Sequence, residues 1–145
     1  MIERRLSDAV SVASQLEPAD LPGLAARGFR VLIDNRPDDE VGPAEDSAAM
    51  ERAAQAAGMA FRYVPFRPGV VTEETIAAFA DALELGGPAL AYCRSGTRST
   101  MLWALAEAPH QGLETVLRAA TAAGYDLSGI APMLKARAAG QPLRA

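Results

Sequence analysis

Apolar and polar positions fall along this chain in short blocks with two different periods. Residues 3–14 alternate loosely, as expected of one or two short strands. The runs FRVLID (29–34), AFRYVP (60–65) and ALAY (89–92) are brief, largely apolar and bounded by turn-forming residues, and each reads as a buried strand. ALAY is expected at the centre of a sheet. Helices fill the intervals. Pro18 and Asp20 mark one start and Gly28 its end. The alanine-rich segment Ser47–Ala57 is capped by Asp46 or Ser47 and stopped by Gly58. Thr72 caps another helix, with Glu73 and Glu74 at its positive end, and Gly86-Gly87-Pro88 closes it. Ser99–Ala108, Leu113–Ala123 and Ile130–Ala139 complete the set, with Gly124 and Gly129 between the last two. Residues 35–47 form a polar loop, Phe66-Arg67-Pro68-Gly69 a turn and residues 139–145 a frayed end.

Strands alternating with helices predict an α/β fold of three layers, with about four mostly parallel strands flanked by helices. The all-helical C-terminal part is expected to cap one side. With 145 residues, half of them hydrophobic, residues 1–145 are read as one domain. A net charge of −4 gives no basic footprint for nucleic acid, and no apolar run is long enough for a membrane span. The N-terminal MIERRLSD lacks the apolar stretch of a signal peptide, so the expected location is cytoplasmic. One cysteine excludes an internal disulfide, and with a single histidine, His110, no metal site and no cofactor are expected. His110 follows Pro109 and reads as a loop residue. Trp103 and Met101 read as core.

Chemistry concentrates in CRSGTRS, residues 93–99. An apolar strand delivers Cys93 to its carboxyl end, the side of an open α/β sheet where ligands bind. The backbone N–H groups of Arg94, Ser95, Gly96 and Thr97 can turn inward as an anion nest, and Gly96 supplies the freedom this needs. The helix that starts near Arg98 adds the positive end of its dipole. Such surroundings favour a thiolate over a thiol. One loop thereby combines a nucleophile with a cradle for a tetrahedral anion, which suits attack on a sulfane sulfur or a phosphoryl group.

This loop resembles that of the bacterial beta-lactamase hydrolase-like family of phosphatase-like, sulfur transferase domains. GFRVLIDNRPDDE, YVPFRPGVVTEE and AYCRSGTRSTMLWAL carry the resemblance over nearly the whole chain. It implies the fold of dual-specificity protein phosphatases, with a loop also similar to that of rhodanese sulfurtransferases. It also implies Cys93 and Arg98 as catalytic residues and Arg94, Ser95, Gly96, Thr97 and Ser99 as substrate-binding ones.

Two features bear on which chemistry the resemblance implies. Cysteine phosphatases place five residues between the cysteine and the phosphoryl-gripping arginine. Here four intervene before Arg98, as in rhodaneses, although Ser99 matches the hydroxyl that phosphatases put next. Phosphatases also use an aspartic acid to protonate the leaving oxygen, and the matching loop here, residues 66–69, has none. Thiolates need no such acid to leave. The expectation is therefore a sulfurtransferase that passes sulfane sulfur through a Cys93 persulfide. The alternatives are a phosphatase with a Cys93 phosphoenzyme and an idle module that binds anions or a partner. The expected substrate is a small anion (thiosulfate, a persulfide or a phosphate ester), and a thiol such as glutathione accepts sulfur. Arg36, just beyond a strand end, and Arg67, in the turn, are further candidates for binding it. Asp38 and Asp39 are weaker candidates for an acid. Asn35 is read as shaping its turn.

Overall fold

The computed structural model describes residues 1–67 and 69–143. Pro68 of the expected turn and the last two residues of the expected frayed end lie outside the described residues. Five strands form one sheet: β1 (Glu3–Arg5), β2 (Val10–Ala13), β3 (Val31–Asp34), β4 (Ala60–Tyr63) and β5 (Ala89–Tyr92). Their order is β1-β2-β5-β3-β4, and every pairing is parallel except β1 with β2. The loosely alternating residues 3–14 thus yield two strands, the first an antiparallel edge added to the four parallel ones. ALAY is the central strand.

The alternation of side chains separates two cores. Val10, Val12, Val31, Ile33, Ala89 and Ala91 face one way, while Leu32, Phe61, Leu90 and Tyr92 face the other. The second face is covered by α1 (Leu21–Ala26) and α2 (Ser47–Ala56). The first is covered by α3 (Glu73–Leu83), α4 (Thr97–Gln111), α5 (Leu113–Ala122) and α6 (Ala131–Ala138). The result is three layers. No helix among the described residues is long and apolar enough to cross a membrane.

Helix α4 is buried on almost every side. Leu102, Trp103, Ala104, Leu105, Ala106 and Ala108 are all core, and so are Ser99 and Thr100 in its first turn. The helix also runs past Pro109 to Gln111, so His110 lies exposed in its last turn and not in a loop. Proline has no N–H for the Leu105 carbonyl four residues back. Arg137 on α6 supplies the missing donor, its Nε 3.1 Å from that oxygen. The same guanidinium binds Glu73 on α3 at 2.7 Å, which ties three helices together. Arg137→Ala is expected to orphan the buried carbonyl and lower stability by about 1–3 kcal/mol in urea unfolding. Loss of the half-exposed Glu73 partner alone should cost under about 1 kcal/mol. Equal costs for the two variants would assign the effect to the ion pair and not to the carbonyl.

Candidate active site

β5 is flanked by β2 and β3, and all three end at the same level of the sheet. The Cys93 N–H continues the ladder to the Ala13 carbonyl at 3.3 Å, and the Asn35 N–H reaches the Tyr92 carbonyl at 2.9 Å. Cys93 continues the α4-facing alternation of Ala89 and Ala91 and is fully buried. The chain then folds over its sulfur. The Gly96 N–H donates to Cys93 Sγ at 3.1 Å. Gly96 has φ +90°, which a residue with a side chain adopts only under strain, and it directly precedes α4. No side chain caps that helix, so its first N–H groups remain available to an anion.

Arg98 leaves the first turn of α4 with its guanidinium toward Cys93, and is held there from behind. Nη1 and Nη2 make a two-pronged contact with the Glu40 carboxylate at 3.0 and 2.8 Å, and Nη1 also reaches the Phe66 carbonyl at 3.0 Å. The Glu40 contact, and after it the charge on Cys93, raise the guanidinium above its usual range, with burial acting in opposition. Arg98 in turn holds the Glu40 carboxyl below the usual carboxylate range. Glu40 lies in a 3-10 turn (Asp38–Glu40) inside the segment read from sequence as a solvated acidic loop. No sequence signal separates it from its two acidic neighbours, because its role depends on which strand end β3 lies beside.

The other candidates occupy three different settings. Ser95, exposed, and Thr97, half-buried, share a hydroxyl contact at 3.1 Å on the loop, and Arg94 is exposed. Ser99 is buried and its Oγ has no hydrogen-bond partner among the described residues. Arg36 is engaged by Gln15 and Glu40. Its Nη1 meets Gln15 at 3.0 Å, its Nη2 meets the Glu40 carbonyl at 3.2 Å and its Nε lies 3.5 Å from the Glu40 carboxylate. It braces the turn that carries Glu40. Arg67 pairs with Asp39 at 2.8 Å on the surface. That pair lines a cleft of about 480 Å³ with Tyr63, Pro65, Val70 and Thr72. Asp38 spends both carboxylate oxygens on Ser47, whose N–H and hydroxyl lie at 2.7 and 2.6 Å. Asn35 donates to the Val64 carbonyl at 2.8 Å and so ties β3 to the chain leaving β4.

Asp34, at the end of β3, is buried opposite Tyr92. Its Oδ1 accepts the Arg36 N–H at 2.9 Å, while the Tyr92 hydroxyl faces the carboxyl without closing a hydrogen bond. Burial pushes this acid up to about 7, and the contacts from Arg36 and Tyr92 only partly offset it.

A nucleophilic cysteine at the end of a central parallel strand, roofed by backbone N–H and backed by an arginine, defines a phosphatase-like enzyme. The family model for the phosphatase-like domain of beta-lactamase hydrolase-like protein matches residues 3–110, and the chain belongs to that family. Beta-lactamase hydrolase-like protein of Agrobacterium fabrum is 37% identical over 105 residues, 72% of this chain and 24% of that protein. The protein of the same name from Xylella fastidiosa (strain Temecula1) is 32% identical over 140 residues, 94% of this chain and 32% of the relative. The chain thus spans about a quarter to a third of these relatives' length. Among solved structures, a proposed phosphatase from Neisseria meningitidis is similar with TM-score 0.79 and 28% identity, covering 92% of this chain and 96% of that one. PTPMT1, solved with PI(5)P, shares the fold at TM-score 0.72 and 15% identity, over 95% of each chain.

Two outcomes follow from the charges around this site. Glu40→Gln is expected to weaken by about tenfold the protection that phosphate gives Cys93 against alkylation by iodoacetamide, because Arg98 loses its orienting partner. Undiminished protection would mean that Arg98 orients itself. Asp34 affects stability in a pH-dependent way. The unfolded chain ionises this acid near 3.8, whereas the folded chain holds its proton up to about 7. Its contribution is therefore complete below about pH 4 and is lost as pH rises through about 7. Asp34→Asn keeps an acceptor for Arg36 and should remove that fall, worth up to about 4 kcal/mol, from urea unfolding across this range. A wild-type minus variant difference that does not change with pH would refute the buried proton.

Proposed function

We propose that this chain hydrolyses phosphate monoesters through a phosphocysteine at Cys93. The observation that carries the reading is the Gly96 N–H on Cys93 Sγ, with the Arg98 guanidinium turned toward the same sulfur. The thiolate attacks phosphorus, a P–S bond forms and the ester oxygen departs with the bonding pair. Water then attacks phosphorus, the P–S bond breaks, and phosphate and the thiolate are released. Loop N–H groups and Arg98 stabilise the charge on the equatorial oxygens in both steps. Membership of a phosphatase-like family and the phosphate-ester complex of PTPMT1 support this chemistry over sulfur transfer. The part of the substrate beyond the phosphorus extends over the cleft beside Tyr63 and Arg67, and Arg94 steers anions toward the loop.

The nearby acids limit the leaving group. Asp38 is bound to Ser47, Asp39 to Arg67 and Glu40 to Arg98, so all three carboxyl groups are already engaged away from a leaving oxygen. Aryl phosphates, whose leaving oxygen needs little help, should turn over at least about a hundredfold faster than alkyl phosphates. Cys93→Ser should abolish that turnover and the phosphoryl adduct seen by intact mass. Equal rates for the two ester classes would reveal an acid elsewhere. A second reading, sulfur transfer through a Cys93 persulfide to a thiol such as glutathione, draws on the four-residue spacing from Cys93 to Arg98 and on the same lack of an acid. A gain of one sulfur mass on incubation with thiosulfate or a persulfide, with no aryl phosphate turnover, would replace the phosphatase reading with it.

A further inference from the structure

One residue that touches the nucleophile loop lies beyond the matched family segment, residues 3–110. Tyr125 follows α5 and sends its hydroxyl to the Ser95 carbonyl at 3.1 Å. Ser95 carbonyl and Gly96 N–H belong to one peptide unit, and that N–H is the donor to Cys93 Sγ at 3.1 Å. The three groups therefore form one line: Tyr125 O–H to the carbonyl, through the planar Ser95–Gly96 peptide, to the sulfur. Resonance across the peptide makes the two ends interdependent. A donor on the oxygen draws electron density toward it and strengthens the N–H as a donor, so successive hydrogen bonds reinforce each other. The contact is also close. A Cβ on Gly96 would lie 2.2 Å from Tyr125 Oη, so the loop admits no side chain at this position.

We propose that Tyr125 is a positioning residue for Cys93, acting through the Ser95–Gly96 peptide to strengthen the backbone N–H that contacts the sulfur. Burial, and then the charge on Cys93, raise the Tyr125 hydroxyl above the usual tyrosine range, so it remains a donor at neutral pH. The charged groups that face this pair are Arg98 of α4, backed by Glu40, and Arg4 of β1, which pulls Tyr125 the opposite way. The proposal deepens the site described above but does not depend on the phosphatase reading, because it concerns the sulfur in the absence of substrate.

The test is the pH profile of Cys93 alkylation by iodoacetamide, which needs no turnover. Tyr125→Phe keeps the ring and removes only the hydroxyl. The midpoint of the profile should move up by roughly half a unit, with only a small drop in the thermal unfolding midpoint because water can reach the exposed Ser95 carbonyl. Phosphate protection should weaken by no more than a few-fold, because Arg98 is untouched. Tyr125→Ala, which also removes the ring, should move the midpoint at least as far. It should also recover part of the anion protection lost in Gly96→Ala, because the clash at Oη disappears. A profile that coincides with wild type in a folded Tyr125→Phe would overturn the proposal, even if aryl phosphate turnover were confirmed. A shifted profile in a protein with no phosphatase activity would keep the proposal and sink only the phosphatase reading.

Discussion

The contact on which the site turns is the Gly96 N–H on the buried sulfur of Cys93, made by the loop that leads from β5 into α4. That contact organises the surrounding structure. Gly96 must adopt a positive φ to aim its N–H at Sγ, so it leaves the helix start without a side-chain cap. Arg98 then lies in the first turn of α4, faces the sulfur, and is met by a counter-charge where it is largely buried. Glu40 provides that charge from the turn after β3, and Arg36 in the same segment holds that turn while reaching across to Gln15 beyond β2. Three strand ends are joined through one arginine.

The arrangement is well suited to receiving an oxyanion and poorly supplied with protons. Each carboxyl in the 3-10 turn after β3 is already engaged, one with a hydroxyl and two with arginines. Asp34, the one acid that burial keeps protonated near neutrality, lies under the turn against Tyr92. Arg67, exposed and paired with Asp39, lines the neighbouring surface cleft.

Much of this was legible in the residues. Short apolar runs of period two, punctuated by Gly, Pro and capping residues, predicted the parallel strands and almost every helix, with Asp46 and Thr72 as the caps. Local chemistry decides those features. Cys93, Gly96 and Arg98 were legible for the same reason, since strand, cysteine, glycine and helix are contiguous in the chain. The continuation of α4 through Pro109 was not, because the donor that replaces the missing N–H comes from Arg137, 28 positions along the chain from Pro109.

The sequence alone determined the layered α/β class, the central strand and the cysteine loop, each a product of neighbours a few residues apart. Only the tertiary structure decided which acid meets Arg98, which acid meets Arg67 and that Tyr125 reaches the loop. Those pairings follow from strand order and helix packing. They join residues between 28 and 58 positions apart, and nothing in the local pattern distinguishes Glu40 from Asp39 or Tyr125 from any half-buried tyrosine.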